Sequence, residues 1–384
     1  LARLSGAPTL LLSATPSIES LARSAAEGWL RITLPPRTPP PEVEVVDLRM
    51  ELAEQWRGMV SRPLLARLTA LDWAGGAQAL LIINRRGMAS ALLCRDCGAA
   101  QSCPSCERPL VLHSAGTLLR CHGCGTAAEP LSRCPSCGSA RIRALGGGTE
   151  RLEREVRALL PGVVVDRLDA DAASGIGAGD RILDRFRSGH TQVLVGTALA
   201  AKSLDLPALQ LVGIVSADTG LLLPDERAAE RAVALVVQAI GRLGRSGRPG
   251  VAIIQSYRPE DPAIVAAAQM ARGGSVDEWR SREIALRREA GGAPFLRTLK
   301  VSAGAATAAS AKRSLEALAA RIRDTAATVG DTGVRIFGPV PAWVPRRAGR
   351  WRENLVIRTN DLAPYLPLVR GRDVTVDVDP ETLL

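Results

Sequence analysis

The eight cysteines of this chain all lie between positions 94 and 137, as four C-x-x-C pairs: Cys94/Cys97, Cys103/Cys106, Cys121/Cys124 and Cys134/Cys137. Two thiolates spaced this way on a tight turn bind one face of a tetrahedral metal, and two such pairs complete a four-cysteine shell. Four pairs therefore predict two Zn2+ per chain. A closed shell leaves no position for water, so the metal is structural rather than catalytic. Cys-Pro-Ser-Cys occurs twice, and glycine follows Cys97, Cys124 and Cys137, which suits the close backbone approach of a metal knuckle. Spacing alone allows nested or sequential partnering of the pairs. The competing chemistry is a disulfide framework, which needs an oxidising compartment and is typical of small chains short of core. This chain has 384 residues, 46% of them hydrophobic, and no secretory n- and h-region at its start. Zinc is the reading taken. Each site contributes about 10 kcal/mol of folding free energy, so the segment 94–137 is expected to unfold without metal. His113 and His122 are not required as ligands and read as exposed loop polar groups.

A second set of residues has the types and spacing for nucleotide chemistry. Gly196-Thr197 ends an apolar run and is followed by Lys202 and Asp205. Further on, Gln238-Ala239-Ile240-Gly241-Arg242-Leu243-Gly244-Arg245 places two arginines at a helix end, with glycines that let the backbone turn tightly. Arginines so placed can act as fingers on a γ-phosphate held by a neighbouring domain. The plainer alternative is a basic helix end that complements the macrodipole. A third set, Arg346, Arg347, Arg350 and Arg352 with Trp343 and Trp351 nearby, reads as a patch between two strands of the tail. It can grip phosphates and stack on a junction base; the alternative is a solvated loop whose tryptophans pack on the domain.

Composition points the same way. Formal net charge is +10, and lysine occurs only at Lys202, Lys300 and Lys312, so nearly all the positive charge is arginine. The guanidinium fork suits phosphate and is not neutralised. A basic chain with paired cysteines and no signal segment is expected to be cytoplasmic and to bind nucleic acid; high arginine on a solvated surface is the competing explanation. Aromatics are only 3%, so extended stacking on unpaired bases is not indicated. No apolar run is long enough to span a membrane. The first residue is Leu1 rather than methionine, and a fragment, a processed product or a mis-started one is expected.

These residues must be positioned by a regular scaffold. Residues 8–12 read as a short buried strand that ends in Ser13-Ala14-Thr15-Pro16-Ser17, with a helix after it. Residues 35–41 read as a proline-rich extended linker. Strands are expected at 43–48, 79–83, 163–168, 192–196, 209–215 and 251–257, and helices at 64–71, 150–160, 181–187 and 228–240. Buried apolar strands alternating with amphipathic helices predict a parallel, doubly wound sheet, into which the cysteine segment is inserted. Residues 261–295 read as helical. The tail is expected to have strand 298–303, helix 309–326, strands 334–337 and 353–358, helix 361–369 and strand 373–379. That βαββαβ order is the ferredoxin-like arrangement.

Taken together, these features resemble a superfamily-two helicase. Ser13-Ala14-Thr15-Pro16 is similar to the S-A-T motif, Gly196-Thr197 to the fifth motif and Gln238–Arg245 to the sixth. Asn84-Arg85-Arg86-Gly87, the four cysteine pairs and Gly148-Thr149-Glu150-Arg151-Leu152-Glu153 narrow the resemblance to the PriA family of primosomal replication-restart helicases. So do Pro224-Asp225 with Arg227, Glu230 and Arg231, Gly338–Ala342, Gly349–Arg352 and Asp377–Pro380. The resemblance covers nearly the whole chain. It implies an α/β fold with a RecA-like lobe, an inserted two-zinc module and a C-terminal ferredoxin-like domain. The implied division is 1–34, a remnant of lobe one; 35–78, linker and start of lobe two; 79–93 and 138–258, lobe two; 94–137, the zinc insertion; 259–296, a helical connector; and 297–384, the C-terminal α+β domain.

The resemblance further implies nested zinc partnering. Cys94, Cys97, Cys134 and Cys137 share one ion, and Cys103, Cys106, Cys121 and Cys124 share the other. It assigns Gly196, Thr197, Lys202 and Asp205 to nucleotide binding, and Gln238, Arg242 and Arg245 to coupling hydrolysis to DNA. Arg346, Arg347, Arg350, Trp351 and Arg352 are the expected DNA contacts. The implied partners are forked DNA, primosome and helicase-loading proteins and single-strand DNA-binding protein, with the chain a monomer. The family also needs a G-x-x-x-x-G-K-[ST] loop, whose lysine reaches the β/γ-phosphates, and an acidic D-E-x-H. No lysine here follows glycine. Asp225-Glu226 is a poor acidic motif, because it lies deep in lobe two behind Pro224, which disfavours a central strand. ATP/Mg2+ is therefore expected only with a complete first lobe. Two further departures are Ser203 after Lys202, where the family has glycine, and Leu243 in place of a small residue between the sixth-motif glycines; that leucine is expected to shift both arginines. Two functions follow from these features: part of an ATP-dependent 3'-5' DNA helicase that restarts replication, or a fork-binding scaffold without hydrolysis.

Overall fold

The structure, a computed structural model, describes residues 5–35, 39–83, 90–113, 117–145, 148–201, 206–244, 250–371 and 373–384. Strands β1 (Glu42–Asp47) and β2 (Gln78–Ile83) precede the cysteine segment. That segment contributes β3 (Ser90–Cys94), β4 (Val111–His113), β5 (Leu118–Arg120), β6 (Ala127–Ala128) and β7 (Ile142–Ala144). After it come β8 (Val165–Leu168), β9 (Val193–Gly196), β10 (Leu209–Ser216) and β11 (Val251–Ser256). The tail holds β12 (Arg297–Ala305), β13 (Arg335–Arg347), β14 (Arg350–Thr359) and β15 (Val374–Val378).

A six-stranded sheet in the order β1-β11-β10-β2-β9-β8 forms the first body, and all its pairings are parallel. Parallel strands need helical crossovers on both faces, so the inner strands are apolar throughout. All six residues of β2 and all four of β9 are buried. Alternation then sends Leu80 and Ile82 to one face and Ala79, Leu81 and Ile83 to the other. The first face is covered by helices Ala178–Arg187, Ala228–Ile240 and Pro262–Ala271, through Phe186, Val233, Val236, Ile264 and Ala267. The second is covered by helices Arg62–Thr69 and Thr149–Leu159, through Leu64, Leu68, Leu152 and Val156. The edge strands β1 and β8 carry half-exposed polar residues. This is the parallel, doubly wound α/β arrangement that the alternating pattern predicts, and the RecA-like lobe that the resemblance implies.

The tail folds as a second body. Its sheet order is β13-β14-β12-β15, antiparallel throughout. Helix Ala308–Val329 covers one face with Leu315, Leu318, Ala319 and Ile322.

Three expectations fail locally. Residues 8–12 are in no strand, and Leu10, Leu11 and Leu12 are 77%, 63% and 81% exposed; no described strand lies beside them, and an apolar run alone does not supply a sheet neighbour. The helix expected at 361–369 is a single 3-10 turn, Leu366–Val369. Pro364 and Pro367 deprive it of two backbone donors. The strands expected at 334–337 and 353–358 are parts of one long hairpin, β13–β14, closed by Ala348 (φ 49°) and Gly349 (φ 78°). Two consecutive positive φ values define the tight type I′ turn that matches strand twist.

The two bodies are joined by the residues around Pro224. Asp225 accepts the Thr382 hydroxyl at 2.7 Å and the Leu383 N–H at 3.2 Å, and pairs with Arg231 at 3.3 Å. Burial by itself raises the Asp225 carboxyl, but the Thr382 hydroxyl, Arg231 and two backbone N–H groups outweigh it and hold it below its ordinary value. Glu226 pairs with the buried Arg358 of β14. Arg227 pairs with Glu19 at 2.8 Å. Arg287 is buried between Glu19 and Glu230, and Glu230 also accepts the N–H of Ile18. Breaking such a buried network by removing one member costs about 3–5 kcal/mol. The acidic pair Asp225-Glu226 is thus structural: it docks the tail onto the first body, while Arg227 and Arg287, through Glu19, and Glu230, through the Ile18 N–H, hold the helix Ile18–Glu27 there.

Candidate metal centre and nucleic-acid interface

The cysteine segment forms a five-stranded sheet in the order β6-β5-β4-β3-β7. Its framing strands begin at Ser90 and end at Ala144, outside the cysteines themselves. Four copies of one knuckle hang from it. In each, the residue four after the first cysteine donates to that cysteine's carbonyl: Gly98 to Cys94 (2.9 Å), Glu107 to Cys103 (2.8 Å), Gly125 to Cys121 (3.1 Å) and Gly138 to Cys134 (2.8 Å). The first cysteine in turn donates at 2.8 Å to the carbonyl one residue further on: Ala99, Arg108, Thr126 and Ser139. This closed turn requires positive φ at the residue after each pair. It is 76°, 82° and 75° at the three glycines, and 58° at Glu107, where the sequence has no glycine.

The knuckles bring the sulfurs into two groups: Cys94, Cys97, Cys134 and Cys137, and Cys103, Cys106, Cys121 and Cys124. Within each group the sulfurs lie within 4.8 Å of one another. Cys94–Cys137 and Cys97–Cys134 are each 3.6 Å apart, Cys103–Cys124 3.5 Å and Cys106–Cys121 3.3 Å. A disulfide needs about 2.05 Å. Four sulfurs at about 2.3 Å from a tetrahedral zinc lie about 3.8 Å apart, so an all-sulfur donor set of this size fits that ion. The grouping is nested, with the outer pairs together and the inner pairs together.

The thiols within each quartet have opposed surroundings. Burial pushes Cys97 and Cys106 up to about 12, helped by the neighbouring sulfurs. Cys103 and Cys134 are held down at about 6 and about 7: burial opposes this, but backbone N–H groups of their own knuckles and a partner thiol outweigh it. Thiolates this close repel, and a bound dication removes the conflict by deprotonating coordinating thiols outright.

The two quartets meet different parts of the molecule. Gly98 of the outer quartet's first knuckle lies against the Tyr257 carbonyl, where a Cβ has no room, and Arg95 sits 5.9 Å from the Tyr257 ring centroid. Asp218, fully buried, accepts the Tyr257 N–H at 2.9 Å and so fixes that docking residue. The inner quartet faces β13. A Cβ on Gly125 would meet Val340 Cγ1 at 3.2 Å. The histidines are not exposed loop groups. The Nε2 atoms of His113 and His122 are 2.9 Å apart, and the His122 ring lies 5.2 Å from that of Trp343. Burial, with His113 and Arg120 beside it, pushes His122 down to about 4, against a hydrogen bond to the Pro341 carbonyl. The tail body closes over this loop, which a spacing argument within the cysteine segment does not register. Trp343, between Pro341 and Pro345 of β13, was the available signal.

The nucleotide-type residues are only partly described; Lys202, Asp205, Arg245 and the run 84–87 lie outside the described residues. Gly196 ends β9 where a Cβ would meet the Leu168 carbonyl at 2.8 Å, so the turn into Thr197 needs glycine. Arg242 donates to the Ala201 carbonyl at 3.3 Å, linking the sixth-motif-like turn to the fifth. Gln238 donates to Thr15 Oγ1 at 2.9 Å, linking it to Ser13-Ala14-Thr15. Leu243 is 4% exposed, in the sheet core against Gly250.

The basic group is also rearranged. Its arginines lie on strands β13 and β14, not in a loop between them, because Ala348-Gly349 closes the hairpin in two residues. Arg346 pairs in register with Trp351 and lies 5.8 Å from its ring centroid, while Arg347 pairs with Arg350. Alternation therefore puts Arg346 and Trp351 on one face, and Arg347, Arg350 and Arg352 on the other. Trp351 is 36% exposed. Arg350 is already engaged, with Asp373 at 2.7 Å and the Gly304 carbonyl at 2.6 Å.

Among the described residues no helix is long and apolar enough to cross a membrane. The family model of the helicase conserved C-terminal domain matches residues 148–247, and that of the primosomal protein N C-terminal domain matches residues 288–381. The replication restart protein PriA of Bacillus subtilis (strain 168) is 37% identical over 354 residues, 91% of this chain and 43% of its own length. Its counterpart in Treponema pallidum (strain Nichols) is 35% identical over 394 residues, covering 98% and 57%. That of Haemophilus influenzae is 33% identical over 352 residues, covering 91% and 47%. The chain thus spans about half the length of the curated relatives it matches.

Proposed function

Because the chain belongs to the PriA family of replication restart proteins, we propose that it binds stalled or branched DNA forks and directs primosome assembly and helicase loading there. One observation carries this reading: a helicase-type lobe and a primosomal C-terminal domain, each matched by its own family model, are docked together through Asp225 and Glu226. The lobe supplies nucleotide coupling through Gly196, Thr197, Lys202, Asp205, Gln238, Arg242 and Arg245. The contacts Gln238–Thr15 and Arg242–Ala201 support that role, since they tie together the segments that must move as one.

The outer and inner quartets each hold one structural zinc. When bound, the metal supplies charge neutralisation and rigid cross-linking of the knuckles. Residues 297–384 are a ferredoxin-like domain; the sheet order β13-β14-β12-β15 supports this, with the second helix reduced to the turn Leu366–Val369. The division of the chain at 1–34, 35–78, 79–93 with 138–258, 94–137, 259–296 and 297–384 follows, with the insertion's framing strands reaching out to Ser90 and Ala144. Arg346, Arg347, Arg350, Trp351 and Arg352 contact DNA. The partners are branched DNA, helicase-loading proteins and single-strand DNA-binding protein, and the protein works in the cytoplasm as a monomer.

A second reading is a fork-binding scaffold without hydrolysis. None of Lys202, Lys300 and Lys312 follows glycine, so these 384 residues hold no phosphate-binding loop of the G-x-x-x-x-G-K type. Fluorescence anisotropy on the purified chain tests the common core of both readings. A three-way fork is expected to bind more tightly than a linear duplex of the same length, with no DNA-stimulated phosphate release. Equal affinity for fork and duplex contradicts fork recognition, and phosphate release contradicts the scaffold reading.

A further inference from the structure

We propose that His122 and Trp343 are positioning residues that lock the basic hairpin to the inner cysteine quartet, so that the Cys121–Cys124 knuckle sets where the hairpin tip meets DNA. This rests on the reading of the hairpin as a DNA contact.

The ladder between β13 and β14 is broken where support is most needed. Pro341 pairs with Glu353 and Arg346 with Trp351, so the four residues Ala342–Pro345 stand opposite Arg352 alone. Pro339, Pro341 and Pro345 have no N–H to donate. The tip beyond this gap carries Arg346, Arg347 and Arg350; its β14 side is held by β12, through Arg352 paired with Gly304 and Trp351 with Ala305, whereas beyond the gap its β13 side is held only by the two pairs Arg346–Trp351 and Arg347–Arg350. The β13 side across the gap is left to be supported from outside the sheet.

The inner knuckle touches the hairpin at this gap. The His122 ring is tilted 54° against Trp343 with centroids 5.2 Å apart, and His122 and Pro341 line the same small cavity. The His122 ring is also held by His113, with the two Nε2 atoms 2.9 Å apart. Gly125 leaves room for Val340. Arg120, at the end of β5, attracts the buried Glu353 of β14. Arg120, His122 and Gly125 therefore all bear on the hairpin around Val340–Trp343, and the knuckle itself is rigid only as long as Cys121 and Cys124 share their partners. From Trp343 to the turn at Ala348 an extended chain reaches about 16 Å, long enough for a small change at the knuckle to displace the arginines.

The test uses His122→Ala, Trp343→Ala and the conservative Trp343→Phe in the full chain. Three readouts are taken on each: zinc per chain, amide hydrogen exchange across residues 335–352, and affinity for a three-way DNA fork. The lock predicts that His122→Ala and Trp343→Ala keep two zinc per chain, lose exchange protection over 340–347, and bind the fork about tenfold more weakly, the scale of one aromatic contact. Trp343→Phe restores most of both. Unchanged protection in both alanine variants, with zinc retained, overturns the lock. Lost protection with unchanged fork affinity overturns the claim that the knuckle sets where the tip meets DNA, and places the DNA contact elsewhere. Zinc lost from His122→Ala overturns the assignment of that residue to positioning.

Discussion

Chelating zinc from the purified chain is expected to unfold residues 90–145 while the six-stranded sheet stays folded. The cysteine module has little else to hold it. Its main apolar cluster is Leu92, Cys103, Leu110, Leu119 and Cys121, so two of its five buried members are themselves candidate metal ligands. Its strands are two to five residues long, too short for independent stability. Each four-cysteine site is worth about 10–16 kcal/mol of folding free energy, more than such a core supplies. The large sheet has two extensive clusters, one on each face, and neither contains a cysteine. Hydrogen exchange read by mass spectrometry should therefore show 90–145 at unprotected rates after chelation, while peptides from β2, β9 and β10 keep their protection. Protection at Val340–Trp343 should fall with the module, since the inner knuckle supports that stretch. A chelated chain whose cysteine segment keeps its protection would show that metal is not what folds it.

Replacing Arg346, Arg347, Arg350 and Arg352 together by alanine is expected to flatten the salt dependence of DNA binding. Each phosphate contact contributes about 0.9 to the slope of log K against log salt on duplex arms. Four arginines would naively remove about 3.6. Arg350, however, is held by Asp373 and the Gly304 carbonyl, so the structure predicts a loss nearer to about 2.7, three contacts' worth. At about 0.1 M salt that is a loss of roughly two to three orders of magnitude in affinity. Arg350→Ala alone should change the slope least of the four. Anisotropy titrations at several salt concentrations measure this directly, and an unchanged slope in the quadruple variant would place the phosphate contacts on another surface.

The sequence made the metal chemistry legible because C-x-x-C spacing is local: the knuckle closes within six residues, and its hydrogen bonds involve only those residues. The parallel sheet was legible for a similar reason, since six-residue runs such as Gln78–Ile83, apolar but for the first residue, fit a strand buried on both faces. Contacts between bodies were not legible. Nothing within Cys121-His122-Gly123-Cys124 announces that Trp343, far along the chain, covers the histidine. Pro224-Asp225 with Arg227, Glu230 and Arg231 resemble a family motif, but the docking of Thr382 and Leu383 on Asp225, of Glu19 on Arg227 and of Arg358 on the neighbouring Glu226 joins residues far apart in the chain. The surroundings of Leu243 were hidden in the same way, because the space that accepts it is made by Gly250 and the sheet core. Residues 8–12 show the limit of reading apolar runs: a stretch of strand-like composition lies exposed where no described strand pairs with it.

Elemental analysis of the folded protein, combined with native mass spectrometry on the same sample, tests the central claim most directly. The nested quartets predict two zinc atoms in each chain and eight cysteines that remain reduced once the metal is released. Well-folded protein that carries fewer than two zinc atoms, or that yields cystine bridges among positions 94–137, would contradict it.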